Sequence, residues 1–284
     1  MTTVEMALDP FKEKRIGKPA EQIKTTNTEG ALDDRLRKII MIAYSNRSGA
    51  FPNRTDLVLK PHQISMILMN EDILHKHRDS DHLGSFHGFI TALVQASYDA
   101  GYNEFHLPVS GRSYHLCNEL KGTKERPLVI NVQSDYANYC AYGMSHVNLT
   151  YRGDASLDFA NKAKHCFIDF EGTIKKDWIH IFPFESGFSS KYRLAGDLTE
   201  VHPGHKSKNC EFEIFTDVGS MGASSKNSTF NLHGALRYLY DRKSGYMSNY
   251  STYTTTDKKS YRTIQWSLGL LGMFWHQNSV RLIK

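Results

Sequence analysis

His202–Phe215, HPGHKSKNCEFEIF, is the stretch on which the reading of the fold turns. It opens as a turn, with Pro203-Gly204 between two histidines, and runs on as a basic loop carrying Lys206 and Lys208. At Cys210 the pattern changes to alternation. In an extended strand Cys210, Phe212 and Ile214 face one side, and Glu211 and Glu213 face the other. A thiol then sits where a cationic loop meets an apolar face. It is either a buried core cysteine or a nucleophile beside an apolar pocket.

The same alternation recurs upstream, after Pro127, in LVINVQS, SHVNLTY, HCFIDFEGTI and DWIHIFPF. These segments are short, aromatic and β-branched, and Arg152-Gly153-Asp154 and Glu171-Gly172 read as their turns. That predicts a mainly antiparallel sheet. Ahead of it the period is helical. Leu36, Ile39, Ile40, Ala43 and Tyr44 share a face that stops near Gly49, and Pro61 opens a second helix through Ile64, Ile67 and Leu68. The third stripe is the clearest, with Leu83, Phe86, Phe89, Ile90, Leu93, Val94 and Tyr98 between an Asp81 N-cap and a stop at Gly101. Residues 113–120 read as a short fourth helix.

Beyond the opening stretch, a Gly/Ser-rich loop (GSMGASSKNS) leads to a helix from Thr229 to Arg242. A tyrosine-rich strand follows over 246–256, then an apolar helix over Ile264–His276. The expected architecture is α+β: N-terminal helices, then a mainly antiparallel sheet, then C-terminal helices, in a single compact domain over 31–284. Residues 1–30 form a polar arm, and 122–127 mark a candidate subdomain junction. No internal repeat or low-complexity linker divides the chain.

At 284 residues, 40% hydrophobic and 23% charged, the chain has the composition of a globular protein able to bury a substantial core. A net charge of +5 suits an anionic membrane surface without requiring one, and interspersed acids and bases argue against a dedicated nucleic-acid binder. The first 30 residues lack the apolar centre of a secretory signal, and no run reaches the roughly 18 apolar residues of a membrane span. Synthesis in the cytoplasm with peripheral membrane association or release is the expectation. Cys117, Cys140, Cys166 and Cys210 are widely spaced, with no CxxC pair, and read as reduced thiols.

Three constellations carry candidate chemistry. His75, His77, His82 and His87, with Asp79 and Asp81, are competent metal ligands, but no recognised spacing follows them, so no metal site is assigned. Cys140 with His146 or His180, and Asp169 or Asp177 as orienting acid, sketches a Cys–His hydrolase. On one strand, however, Cys140 and His146 stand about 20 Å apart. Cys210 has the strongest local case. Thiolate is the reactive form, His205, Lys206 and Lys208 favour it, and Phe212 and Ile214 offer an apolar wall suited to acyl capture as a thioester.

In length, in its helix-then-sheet pattern and in a cysteine at this depth, in KSKNCEFEIF, the chain resembles the Evf proteins, bacterial virulence factors associated with persistence in insect guts. The resemblance implies an S-palmitoylated protein acting at host membranes, with covalently bound palmitate on Cys210 held inside the fold. It supplies no catalytic residues, so the implied protein is not an enzyme, self-acylation aside. The alternative is a cysteine-dependent hydrolase or acyltransferase using Cys210 or Cys140 with a histidine. Burying a palmitoyl-sized chain is worth roughly 10 kcal/mol before ordering costs, so the acyl group would act as a structural cofactor. The implied partners are a fatty acyl group and a lipid membrane, with no nucleic acid.

Overall fold

The computed structural model describes residues 57–69, 80–156, 158–175, 184–199, 201–219, 221–222, 224–236, 251–262, 264 and 279–282, with 80–85 and 279–280 described by backbone alone. Two helices, α1 (Pro61–Met69) and α2 (Ser80–Asp99), come first. They are followed by β1 (Glu104–Tyr114), β2 (Leu128–Asn138), β3 (Val147–Ser156), β4 (Phe167–Lys175), β5 (Lys191–Asp197), β6 (Glu211–Ile214), β7 (Thr229–Leu232), β8 (Thr252–Thr255) and β9 (Ser279–Leu282). The strands form one sheet in sequence order, and every neighbouring pair is parallel.

The molecule is therefore a parallel β-solenoid, and the expected antiparallel α+β fold is wrong. Alternation reports that a segment is extended and which side is buried, but it is silent on strand direction. Direction is set by the return path, and here each return carries its own ladder of parallel bridges: Lys121 to Ser145 to Lys164 to Phe188 to Lys208 to Lys226. Arg152-Gly153-Asp154 and Glu171-Gly172, read as turns, lie inside β3 and β4. Residues 113–120 end β1 and turn a corner instead of forming a helix, and Thr229–Leu232 is strand β7 instead of a helix start. The expected helix at 32–49, all of the expected helix Ile264–His276 beyond Ile264, the polar arm 1–30 and most of DWIHIFPF lie outside the described residues. No helix among the described residues is long and apolar enough to cross a membrane.

A repeat does organise the chain. Register partners are 19 residues apart from Asn148 to Phe167, 20 from Lys191 to Glu211 and 18 from Glu211 to Thr229, but 24 from Phe167 to Lys191 and 27 from Thr252 to Ser279. The coils keep register while their loops vary, which hides the period.

Stacking coils in register stacks like upon like. One inward column runs Tyr192, Phe212, Phe230, Tyr253, with neighbouring rings 4.5, 4.8 and 5.2 Å apart and within 11° of parallel. A second runs Val132, Tyr151, Phe170, Leu194, Ile214, Leu232. Each buried ring contributes about 1.5–3 kcal/mol, with roughly 0.5–1.5 more for each stacked pair. Rings of this size need small neighbours. A Cβ on Gly187 would lie 2.2 Å from the Tyr192 hydroxyl and 3.3 Å from Cys210 Sγ, so no other residue fits there.

The corners use left-handed backbone at fixed positions. Lys162, Ser186, Lys206 and Ser224 have φ of 53–57°, and His165, Ser189, Asn209 and Asn227 have φ of 47–55°. Each such residue costs of order 1–3 kcal/mol. The conformation aims its N–H along the solenoid axis, where His165, Ser189 and Asn209 donate to the carbonyls of Phe188, Lys208 and Lys226 at 2.9–3.0 Å.

Among the described residues no coil precedes the first, and α2 lies on its edge. His87 Nδ1 accepts the Tyr114 N–H (3.1 Å), Thr91 Oγ1 the Cys117 N–H (3.0 Å), Gln95 Oε1 the Lys121 N–H (2.8 Å) and Tyr98 Oη the Thr123 N–H (3.0 Å). Gln95 Nε2 also donates to the Lys121 carbonyl. Residues 87, 91, 95 and 98 follow the helical repeat, so one face of α2 covers an edge that would otherwise recruit another strand. The apolar stripe predicted for this helix is buried beside them, at Phe86, Phe89, Ile90, Leu93, Val94 and Tyr98.

Candidate functional site

Cys210 lies where alternation put it, at the inward start of β6, with Phe212 and Ile214 inward and Glu211 exposed. It is one rung of a column. Cys166, Ser190, Cys210, Ser228 and Ser251 stack in consecutive coils, all buried, and the first four each donate to the carbonyl two residues earlier. Ser190 Oγ accepts the Cys166 N–H (3.1 Å) and donates to the Phe188 carbonyl (3.0 Å). Ser228 Oγ accepts the Cys210 N–H (3.2 Å) and donates to the Lys226 carbonyl (3.2 Å). Cys210 Sγ donates in the same way to the Lys208 carbonyl (3.4 Å). The thiol stands in for a serine hydroxyl at a corner.

Its surroundings favour the protonated form. Cys210 is 3% exposed, and burial pushes its thiol up from the usual value, with nearby backbone at Ser190, Lys208 and Ser189 offsetting only part of the effect. The three residues expected to favour thiolate do other things. His205 is 2% exposed with Nδ1 3.2 Å from Glu185 Oε1, and burial lowers its pKa more than Glu185 raises it. Lys206 Nζ is 3.1 Å from the same oxygen. The Lys208 ammonium lies over the Phe188 ring, 5.8 Å from its centroid. Phe212 and Ile214 are filled in by the neighbouring coils, so the apolar wall borders packed rings. A cavity of about 10 Å³, the size of a water and far short of an acyl chain, lies at another level, between Ser113, Cys117, Cys140 and Tyr151.

Among the described residues, the members of the other constellations have other partners. Cys140 Sγ donates to the Asn138 carbonyl (3.3 Å) and burial pushes its thiol up to about 11. His146 bonds Ser145 Oγ and stacks on His165, centroids 4.9 Å apart. Asp169 pairs with Arg152 and Arg193 on the outer sheet face. His87 is buried under the cap, with its pKa lowered to about 4 by burial and, secondarily, by His115. His75, His77, Asp79, Asp177 and His180, and the side chains of Asp81 and His82, lie outside the described residues. No group of three or more potential metal ligands forms among those described.

What the coils do bring together is a basic face. On the return path, Lys121, Lys164, Lys208 and Lys226 occupy one bridge row, and Lys162 and Lys206 flank it two residues earlier. All six are exposed, and among the described residues only Lys206 has a carboxylate within ion-pair distance. Across the corner, the outer face of the sheet is self-neutralised by cross-strand pairs: Arg152–Asp169, Arg193–Asp169, Lys191–Glu211, Lys175–Asp154 and Arg152–Glu171. The signal for the basic row was present in the sequence. Lys164-His165-Cys166, Lys208-Asn209-Cys210 and Lys226-Asn227-Ser228 share one pattern, each followed by an alternating strand. Two of the three residues read as activators of Cys210, Lys208 and Lys206, are members of this row and its flank.

Fold and surface thus define a capped parallel β-solenoid with one cationic face. Comparison with protein-family models, with curated proteins and with solved structures finds no match to the chain.

Proposed function

We propose that this solenoid is a binding module that holds a linear polyanion along its basic face. The observation that carries the reading is the row Lys121, Lys164, Lys208, Lys226. The backbone ladder holds the Cα atoms of these lysines in register from coil to coil, and no carboxylate among the described residues is within ion-pair distance of them. Lys208 and Lys226 are one coil apart, about 4.8 Å, and the other steps of the row span two coils, about 9.6 Å, within or close to the roughly 8–10 Å screening length at ordinary salt. Neighbouring lysines therefore raise one another's demand for a counter-ion, and a polymer satisfies it with less loss of freedom than separate ions. This reading takes over the positive charge first connected with a membrane-seeking, acylated protein. Acylation of Cys210 would require the corner to open and the Tyr192–Phe212–Phe230 stack to give way.

The test is calorimetric titration of the full chain with heparin at low and high salt. Binding should occur, weaken steeply as salt rises, and fall about tenfold or more in the triple variant Lys164→Gln, Lys208→Gln, Lys226→Gln. Lys191→Gln, on the self-paired face, should bind like the parent. Equal affinity of parent and triple variant would overturn the proposal.

A further inference from the structure

The spacing of the cations along the basic face carries more than their sign. Coil by coil, the row reads Lys121, Ser145, Lys164, Phe188, Lys208, Lys226, and its flank reads Glu119, Gly143, Lys162, Ser186, Lys206, Ser224. The doubly cationic coils, with Lys162 and Lys164 on one and Lys206 and Lys208 on the other, are two coils apart. Between them lies a coil that presents Ser186 and Phe188 and no cation; its Glu185 carboxylate pairs with Lys206, so the net positive charge of the Lys206–Lys208 coil rests on Lys208. On the other side of Lys164 the intervening coil again presents no cation, with Gly143 and Ser145, before Lys121. Positive charge recurs every second coil over this span, about 9.6 Å at 4.8 Å per strand.

Resting on the polyanion reading, we infer that the ligand is an acidic polysaccharide with one anionic group per disaccharide. A polymer lying along the solenoid axis with alternating acidic and neutral sugars sets its carboxylates on the cationic coils. Its neutral sugars then lie over the cation-free ones. Those coils offer what a neutral sugar uses: the Ser145 and Ser186 hydroxyls for hydrogen bonds and, for its apolar face, the half-buried Phe188 ring, which meets His165 edge-on at 5.5 Å and shares its face with the Lys208 ammonium at 5.8 Å. Nucleic acid fits less well, since each strand of a duplex carries a phosphate every 3.4 Å or so. Most of those phosphates would face cation-free coils.

The experiment compares, by titration of the full chain at one ionic strength, a hyaluronan octasaccharide and a polygalacturonate octasaccharide. The first has one carboxylate per disaccharide and the second one on every sugar. A thymidine oligonucleotide and phosphatidylserine vesicles complete the set. Hyaluronan should bind about tenfold tighter than polygalacturonate despite its lower charge. Ser145→Lys fills one uncharged coil with a residue that both neighbours in the row already carry, and should shrink or reverse that preference. If affinity simply follows charge, or if the oligonucleotide or vesicles bind best, the glycan assignment falls while the polyanion reading stands. If none of them binds, and heparin does not either, both fall.

Discussion

Acid should loosen the solenoid from its capped end, and His87 makes the effect measurable. The imidazole is neutral because its Nδ1 must accept the Tyr114 N–H, and burial holds its pKa at about 4 against 6.5 in an unfolded chain. Above pH 6.5 the ring is neutral in both states and contributes no pH dependence. As pH falls from 6.5 towards 4 the unfolded chain takes up a proton that the folded chain refuses, and stability drops by about 1.4 kcal/mol per pH unit. The accumulated loss is about 3 kcal/mol near pH 4, and below that both states are protonated and the slope vanishes. Asn at 87 places an oxygen where Nδ1 stands, keeps the cap bond and does not titrate. Urea midpoints followed by circular dichroism, for the parent and His87→Asn between pH 7 and 4, give the comparison. The difference between the two should narrow by about 3 kcal/mol on acidification, because the parent alone carries this loss. Since His205 and the carboxylates remain in both proteins, their titration cancels in that difference. Parallel curves from pH 6.5 to 4 would refute the account of the cap.

Two further expectations come from the interior. Cys210→Ser should change stability by less than about 1 kcal/mol, because Ser190 and Ser228 already make its hydrogen bonds in the adjacent coils. In the native protein the Cys210 thiol should resist a thiol reagent until the chain unfolds, and intact mass should show no hydroxylamine-labile acyl increment. Either a fast native reaction or such an increment would return Cys210 to the centre of the function. Tyr192→Phe should change stability by less than about 1 kcal/mol, since the buried Tyr192 hydroxyl makes no well-formed hydrogen bond among the described residues and the Ser190 hydroxyl beside it is already engaged with the Phe188 carbonyl. Phe212 and Phe230 show that the column accepts phenylalanine. A clear loss of stability would mean that the hydroxyl is satisfied in solution.

Reading single residues from the sequence worked where the physics is local. The alternation of Cys210, Phe212 and Ile214 against Glu211 and Glu213 named the buried face of β6, and the stripe from Phe86 to Tyr98 named the apolar face of α2. Strand direction was not legible, because a parallel coil and an antiparallel hairpin impose the same period of two on the strand itself. Gly153 and Gly172 looked like turn residues, yet with Gly196 they form a column of close backbone approaches in which a Cβ would sit within about 2 Å of the preceding strand's carbonyl. Cys210 looked special because it was read alone. Set in register beside Cys166, Ser190, Ser228 and Ser251, it is one member of a set, and the lysines before it belong to a row assembled from coils far apart in the chain.

The way α2 completes the first coil also bears on how the chain folds. With His87, Thr91, Gln95 and Tyr98 in place, the helix is a template offering acceptors at the spacing a β-edge requires. Every later strand needs only the strand 18 to 27 residues behind it. Assembly can then proceed by accretion from the N-terminal end, one coil at a time. Each closure is short-range, which keeps the loop-closure cost nearly constant along the solenoid. Damage to the template would raise the barrier to the first coil far more than to the ninth.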